Sequence, residues 1–142
     1  MRIYSGGTYD LFHYGHVRLL KRLKQMAGEN GTLIVAVNTD EFIEQFKGSK
    51  PVMSLEERIE VLEACKYVDE VVVNHSGADS KPTILKARAD FVVVGTDWSD
   101  RDYMSQMGFT REWLEDNNIG YGFLPYTTTV STTDIKKRLN KQ

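Results

Sequence analysis

Thr32-Leu33-Ile34-Val35-Ala36-Val37-Asn38 is a short, almost wholly apolar run. Seven residues are too few for a helix of ordinary length, and the β-branched content favours a strand. A strand that is apolar at every position, rather than alternating, is covered on both faces, which is the mark of a parallel sheet. Similar short runs lie on either side of it. Arg2–Ser5 reads as a first strand, Glu70–Asn74 (EVVVN) as a third, Phe91–Gly95 (FVVVG) as a fourth and Tyr121–Leu124 as a fifth.

Helical patterns fill the gaps. From about His16 to Ala27, residues Val17, Leu20, Leu23 and Ala27 share one side, and Gly28 and Gly31 close the element. Ser54 with Glu57 three residues on is a capping box, and Ile59, Leu62 and Cys65 continue as a stripe. Pro82–Ala89 and Thr110–Asn117 read as helices, and Ser131 to Asp134 caps a last one through Leu139. The alternation predicts an α/β fold, a doubly wound parallel sheet of Rossmann-like type with right-handed crossovers. The 142 residues suit a single domain, 1–142.

Such sheets bind ligands at the carboxyl ends of their strands, where the strand order reverses. The segments there are Gly6–His16, Asn38–Lys50, Gly95–Trp98 and Tyr126–Thr133. All are rich in Gly, Thr, Ser, His, Lys and Asp. Within the first, His13-Tyr14-Gly15-His16 follows Gly7-Thr8-Tyr9-Asp10. Residues three apart share a helix face. Free N–H groups at a helix start favour phosphate, and imidazoles there can stabilise charge that builds on phosphate oxygens. The bland alternative is that the histidines only cap the helix. A zinc pair is another reading, but the chain has three histidines and the third, His75, follows a different strand. No G-x-S-x-G elbow, P-loop or G-x-G-x-x-G is present, which argues against those hydrolase and nucleotide-binding classes.

Composition narrows the classes further. Apolar residues make up 41% and charged residues 27%, the range of a globular chain. Lys plus Arg is 18 against Asp plus Glu 20, a net charge of −2, so there is no electrostatic case for nucleic acid or an anionic membrane. No apolar run approaches a membrane span. Met1–Gly7 lacks the apolar core of a signal peptide, and the lone Cys65 fits a reducing compartment, so the expected location is cytoplasmic.

Four ordered motifs resemble one family. His13-Tyr14-Gly15-His16 resembles the HxGH signature of the HIGH-superfamily nucleotidyltransferases. Val130-Ser131-Thr132-Thr133 resembles the ISTT segment of their cytidylyltransferase branch. Lys66–Val71 resembles RYVDEV, and Gly95-Thr96-Asp97-Trp98 resembles GDDW. Length and motif order are most similar to the bacterial members that act on glycerol 3-phosphate.

The resemblance implies transfer of CMP from CTP to a small phosphorylated alcohol with release of pyrophosphate. It implies His13, His16 and Lys47 as catalytic, with Lys47 in the loop after the second strand. Gly7, Thr8, Tyr9, Asp97, Ser131 and Thr132 would hold the nucleotide. Lys50, Lys66, Trp98, Tyr126 and Thr127 would line the acceptor side. No protein metal site is implied: Mg²⁺ would arrive with the nucleotide. The Lys66–Val71 segment implies a homodimer. An ATP-dependent adenylyltransferase of the same superfamily, of FAD-synthetase or sugar-phosphate type, is the alternative, and a non-catalytic nucleotide-binding partner is a further one.

The sequence departs from the family pattern at several places. Lys66 stands for Arg, Thr96 for Asp, and Tyr126 for a phosphate- or nucleotide-contacting Arg. Arg101 or Arg111, in the long Ser99–Arg111 stretch, is expected to supply the missing charge. Gly6 stands where choline-type members carry an acid.

Overall fold

The computed structural model describes residues 1–96, 103–127 and 129–141. Among them, β1 (Arg2–Gly7), β2 (Thr32–Asn38), β3 (Glu70–Asn74), β4 (Phe91–Thr96) and β5 (Gly120–Pro125) form one sheet in the order β3-β2-β1-β4-β5. All neighbours are parallel. The five strands fall where the apolar runs place them; β2 and β3 keep those bounds, and the others are longer by one or two residues.

Alternation along the strands builds two cores. Ile3, Leu33, Val35, Val37 and Val93 pack under α1 (Tyr14–Ala27) and α3 (Leu55–Glu63) through Leu19, Leu20, Leu23 and Leu62. Tyr4, Ile34, Ala36, Val92 and Val94 pack on the other face under α2 (Asp40–Lys47), α4 (Lys81–Lys86), α5 (Tyr103–Gln106) and α6 (Arg111–Asp116). A last helix, α7 (Thr132–Asn140), follows β5. Among the described residues, no helix is long and apolar enough to cross a membrane.

Two expectations need correction. The Asn38–Lys50 stretch is not a loop, because α2 occupies most of it. Its signals are local: Thr39 accepts from the Phe42 N–H, Asp40 and Glu41 sit in the first turn, and Gly48 ends the helix with a left-handed φ of 84°. Phe42 and Phe46 stack one turn apart. Likewise α3 ends at Glu63, so Cys65 lies beyond the helix, half-buried against the α1 side of the core.

The sheet opens at its switch point. β1 pairs with β2 over six residue pairs, from Arg2↔Thr32 to Gly7↔Val37. β1 pairs with β4 only at Ile3↔Phe91 and Tyr4↔Val92. Past Tyr4 these two strands no longer pair, and the carboxyl ends of β1 and β4 part at the switch point. That is where an open α/β sheet receives a ligand.

Candidate active site

The loop between β1 and α1 is held in a conformation that bulky residues rarely adopt. Tyr9 and Leu11 have φ of 56° and 48°. Buried Asp10, between them, fixes the loop. Its carboxylate accepts from the N–H groups of Val52 (2.7 Å), Met53 (2.9 Å) and Leu11 (3.1 Å). Its own carbonyl accepts from Thr132 Oγ1 at 2.9 Å, which fastens the start of α7 to the same loop.

Arg58 holds the other side. It has no solvent exposure, and its guanidinium donates to Thr8 O (2.9 Å), Met53 O (3.2 Å) and Asp40 Oδ1 (2.6 Å). A planar fork with several donors can tie three segments at once, as an ammonium cannot.

The two histidines form a reciprocal cap on α1. His13 is the N-cap, and its Nδ1 accepts from the Gly15 N–H at 3.1 Å. His16 Nδ1 accepts from the His13 N–H, also at 3.1 Å. Both Nδ1 atoms are acceptors, so each neutral ring carries its proton on Nε2, which remains available as a donor. The rings stack with centroids 3.8 Å apart, and Phe12 lies on the far side of His16 at 5.3 Å. Gly15 is required by the close approach. A β-carbon there would meet the His13 ring at 2.9 Å and Val130 Cγ1 at 2.9 Å. Helix capping and chemistry are therefore compatible uses of the same pair.

Burial disfavours the charged form of both rings. His16 is lowered to about 4, first by desolvation and then by neighbouring His13, with Asp10 acting in the opposite direction. His13 is lowered by desolvation and then by the charge of Arg138. A histidine depressed in the folded state stabilises the fold above its unfolded value and loses that contribution as pH falls. We expect the His16 contribution, about 3 kcal/mol, to be complete above pH 6.5 and lost as the pH falls toward 4. Denaturant unfolding at a series of pH values checks this. The slope between pH 6.5 and 4 should shrink in His16→Gln, and an unchanged slope would count against it.

The structure gathers only some of the expected residues. Gly7 and Thr8 stand at the carboxyl end of β1: a β-carbon at Gly7 would meet the Tyr9 ring at 2.9 Å, and Thr8 O is held by Arg58. Tyr9 is a correction. Its side chain is 5% exposed within the core and packs beneath His16 with centroids 5.3 Å apart, so the ring supports the histidine. Ser131 Oγ caps α7 by accepting from the Asp134 N–H at 2.9 Å, and the Thr132 hydroxyl is used on Asp10.

Lys47 is the exposed last residue of α2. Lys50 is exposed two residues before Val52, which Asp10 holds. Tyr126 is half exposed, its ring so close over Gly95 that a β-carbon there would meet it at 2.5 Å; half-buried Thr127 follows.

Lys66 is a second correction. It lies just before β3, at the amino end of the sheet beside the Lys24–Asp69 ion pair, opposite the histidines. Arg111 starts α6, whose Leu114 and Trp113 pack on the face of the sheet away from α1. Asp97, Trp98 and Arg101 lie outside the described residues.

Sequence reading assigned no role to Asp10 or Arg58. A signal for Arg58 existed: it stands four residues before Leu62 and three after Leu55, a cation on the apolar side of its helix.

Comparison with known proteins decides the family. The Cytidylyltransferase-like family profile matches residues 4–138. This chain belongs to the cytidylyltransferase-like family. It is 36% identical over 138 residues to the glycerol-3-phosphate cytidylyltransferase of Bacillus subtilis (strain 168), covering 97% of this chain and 96% of that protein. It is 39% identical over 97 residues to the FAD synthase of Pyrococcus abyssi, covering 68% of this chain and 64% of that one. Among solved structures, the lipopolysaccharide core biosynthesis protein of Thermoplasma volcanium shares the fold. Its TM-score is 0.67 with 22% identity, over 89% of this chain and 96% of that one. The family makes the chain a nucleotidyltransferase.

Proposed function

We propose that the chain transfers CMP from CTP to glycerol 3-phosphate, giving CDP-glycerol and pyrophosphate. The observation that carries this reading is the fixed histidine pair at the start of α1, which follows β1 at the switch point and keeps both Nε2–H groups as donors. A phosphate oxygen of the acceptor attacks the α-phosphorus of the nucleotide. The bond from that phosphorus to the bridging oxygen breaks, and pyrophosphate leaves with the electron pair. Two neutral donors held in place by the cap stabilise the charge that develops on the phosphoryl oxygens. Their lowered affinity for protons favours the neutral rings, and the bonds accepted by Nδ1 set the tautomer. Lys47 and Lys50, on the α2 side, add positive charge.

Mg²⁺ is proposed to come with the triphosphate. Asp10 is engaged by three N–H groups and Asp40 by Arg58, so phosphate oxygens and water suit the ion better than these carboxylates do. The ion would neutralise phosphate charge.

The acceptor assignment is supported by the near-full-length match to glycerol-3-phosphate cytidylyltransferases. A second reading, adenylyl transfer from ATP, is favoured by the FAD synthase matches. Pyrophosphate release separates them. We expect release with CTP, Mg²⁺ and glycerol 3-phosphate, and at least tenfold less with ATP or in excess chelator. Release with ATP and FMN but not CTP moves the assignment to the second reading. Full activity in chelator overturns the metal requirement.

A further inference from the structure

The triphosphate of a nucleotide brings more negative charge than two neutral imidazoles can offset, even with Lys47 and Lys50 on the α2 side. Most described cations of interest are committed or remote. Arg58 is spent on Thr8, Met53 and Asp40. Lys66 lies at the opposite end of the sheet, and Arg111 opens a helix on the other face.

Helix α7 is different, because it is fastened to the site. Thr132 Oγ1 donates to Asp10 O at 2.9 Å. The hydroxyls of Thr129 and Tyr14 pair at 2.7 Å, and Val130 packs against Gly15. Ser131, Asp134 and Arg138 follow one another at spacings of three and four, so they share one face of this helix. Helical side chains lean toward the N-terminus of their helix, so Arg138 leans toward the capped end and His13.

Arg138 is held there by Asp134, Nε to Oδ2 at 3.3 Å, with the two side chains 61% and 48% exposed. An ion pair that exposed is weak and readily exchanged. A phosphate offers the same guanidinium a stronger, bidentate partner.

We propose that Arg138 is a phosphate-contacting residue, exchanging Asp134 for the triphosphate of the bound nucleotide and for the pyrophosphate it releases. This rests on the nucleotidyl-transfer reading. The charge of Arg138 already acts on His13 and disfavours protonation of that ring. His16 is stacked on His13 as well, and is itself beside Asp10.

The test is calorimetric binding of inorganic pyrophosphate and of CTP, each with Mg²⁺, to wild type, Arg138→Gln, Arg138→Lys and Asp134→Asn. We expect Arg138→Gln to weaken pyrophosphate binding tenfold or more, about 1.4 kcal/mol. Arg138→Lys should recover part of the loss, and Asp134→Asn should bind as tightly as wild type or more so. In Arg138→Gln the His13 ring should titrate at a higher pH by NMR, and the KM for nucleotide should rise while that for acceptor holds. Wild-type binding by Arg138→Gln overturns the proposal. So does equal weakening by Arg138→Gln and Asp134→Asn, because the pair would then only steady α7. If wild type binds pyrophosphate through Arg138 yet releases none from CTP or ATP, the contact stands and nucleotidyl transfer falls.

Discussion

Replacing His16 with Ala is expected to cut turnover 10² to 10³-fold, a loss of about 2.7–4 kcal/mol, the scale of one donor removed from a preorganised anion site. His16 has two tasks, and the variants can separate them. Its Nδ1 accepts from the His13 N–H and so completes the cap on α1. Its Nε2–H is the donor left for phosphate. Ala removes both, and loss of the cap adds a stability cost of about 1 kcal/mol. Gln three residues past an N-cap can still accept from the cap N–H. His16→Gln should therefore keep most of the stability of α1 yet lose turnover as severely as Ala. Steady-state kinetics beside thermal melts reads both quantities. Turnover within threefold of wild type in either variant removes His16 from the chemistry.

Arg58→Ala is expected to have the largest effect on stability. The guanidinium is fully buried and satisfies two carbonyls and a carboxylate. Removing it leaves Thr8 O, Met53 O and Asp40 without those donors and opens a cavity between the β1–α1 loop and α3. Loss of one partner from such a pair costs on the order of 3 kcal/mol, and for a chain of this size that is roughly 10 °C in Tm. Arg58→Lys should recover only part, because a single ammonium cannot match three acceptors held in a plane. Urea unfolding measures the difference. A loss under about 1 kcal/mol would mean that the three contacts do not hold in solution.

The site was legible where its signals are local. The reciprocal cap needs only residues 13 to 16, and the Ser131 cap needs only 131 to 134. Asp10 stood in the quoted motif, yet nothing nearby announced its role, because its main partners are 42 and 43 residues away. Thr8 and Arg58 meet across 50 residues, and Asp10 and Thr132 across 122. Tyr9 was read as a nucleotide contact from its place in the motif. In the structure its ring is buried in the core against His16.

By itself the sequence determined the five strands, most of the helices and the family motif. Burial on both faces writes continuous apolar runs, and helix caps are set by residues three apart. Only the tertiary structure decided which residues meet at the switch point. It placed Lys66 at the wrong end of the sheet for the histidines and buried Arg58. It also parted β1 from β4 after two residue pairs and fastened α7 to the Asp10 loop. The physical reason is that strand order and crossover direction set these meetings. Both arise when distant segments bury their apolar faces together, and no local pattern records which of them will meet.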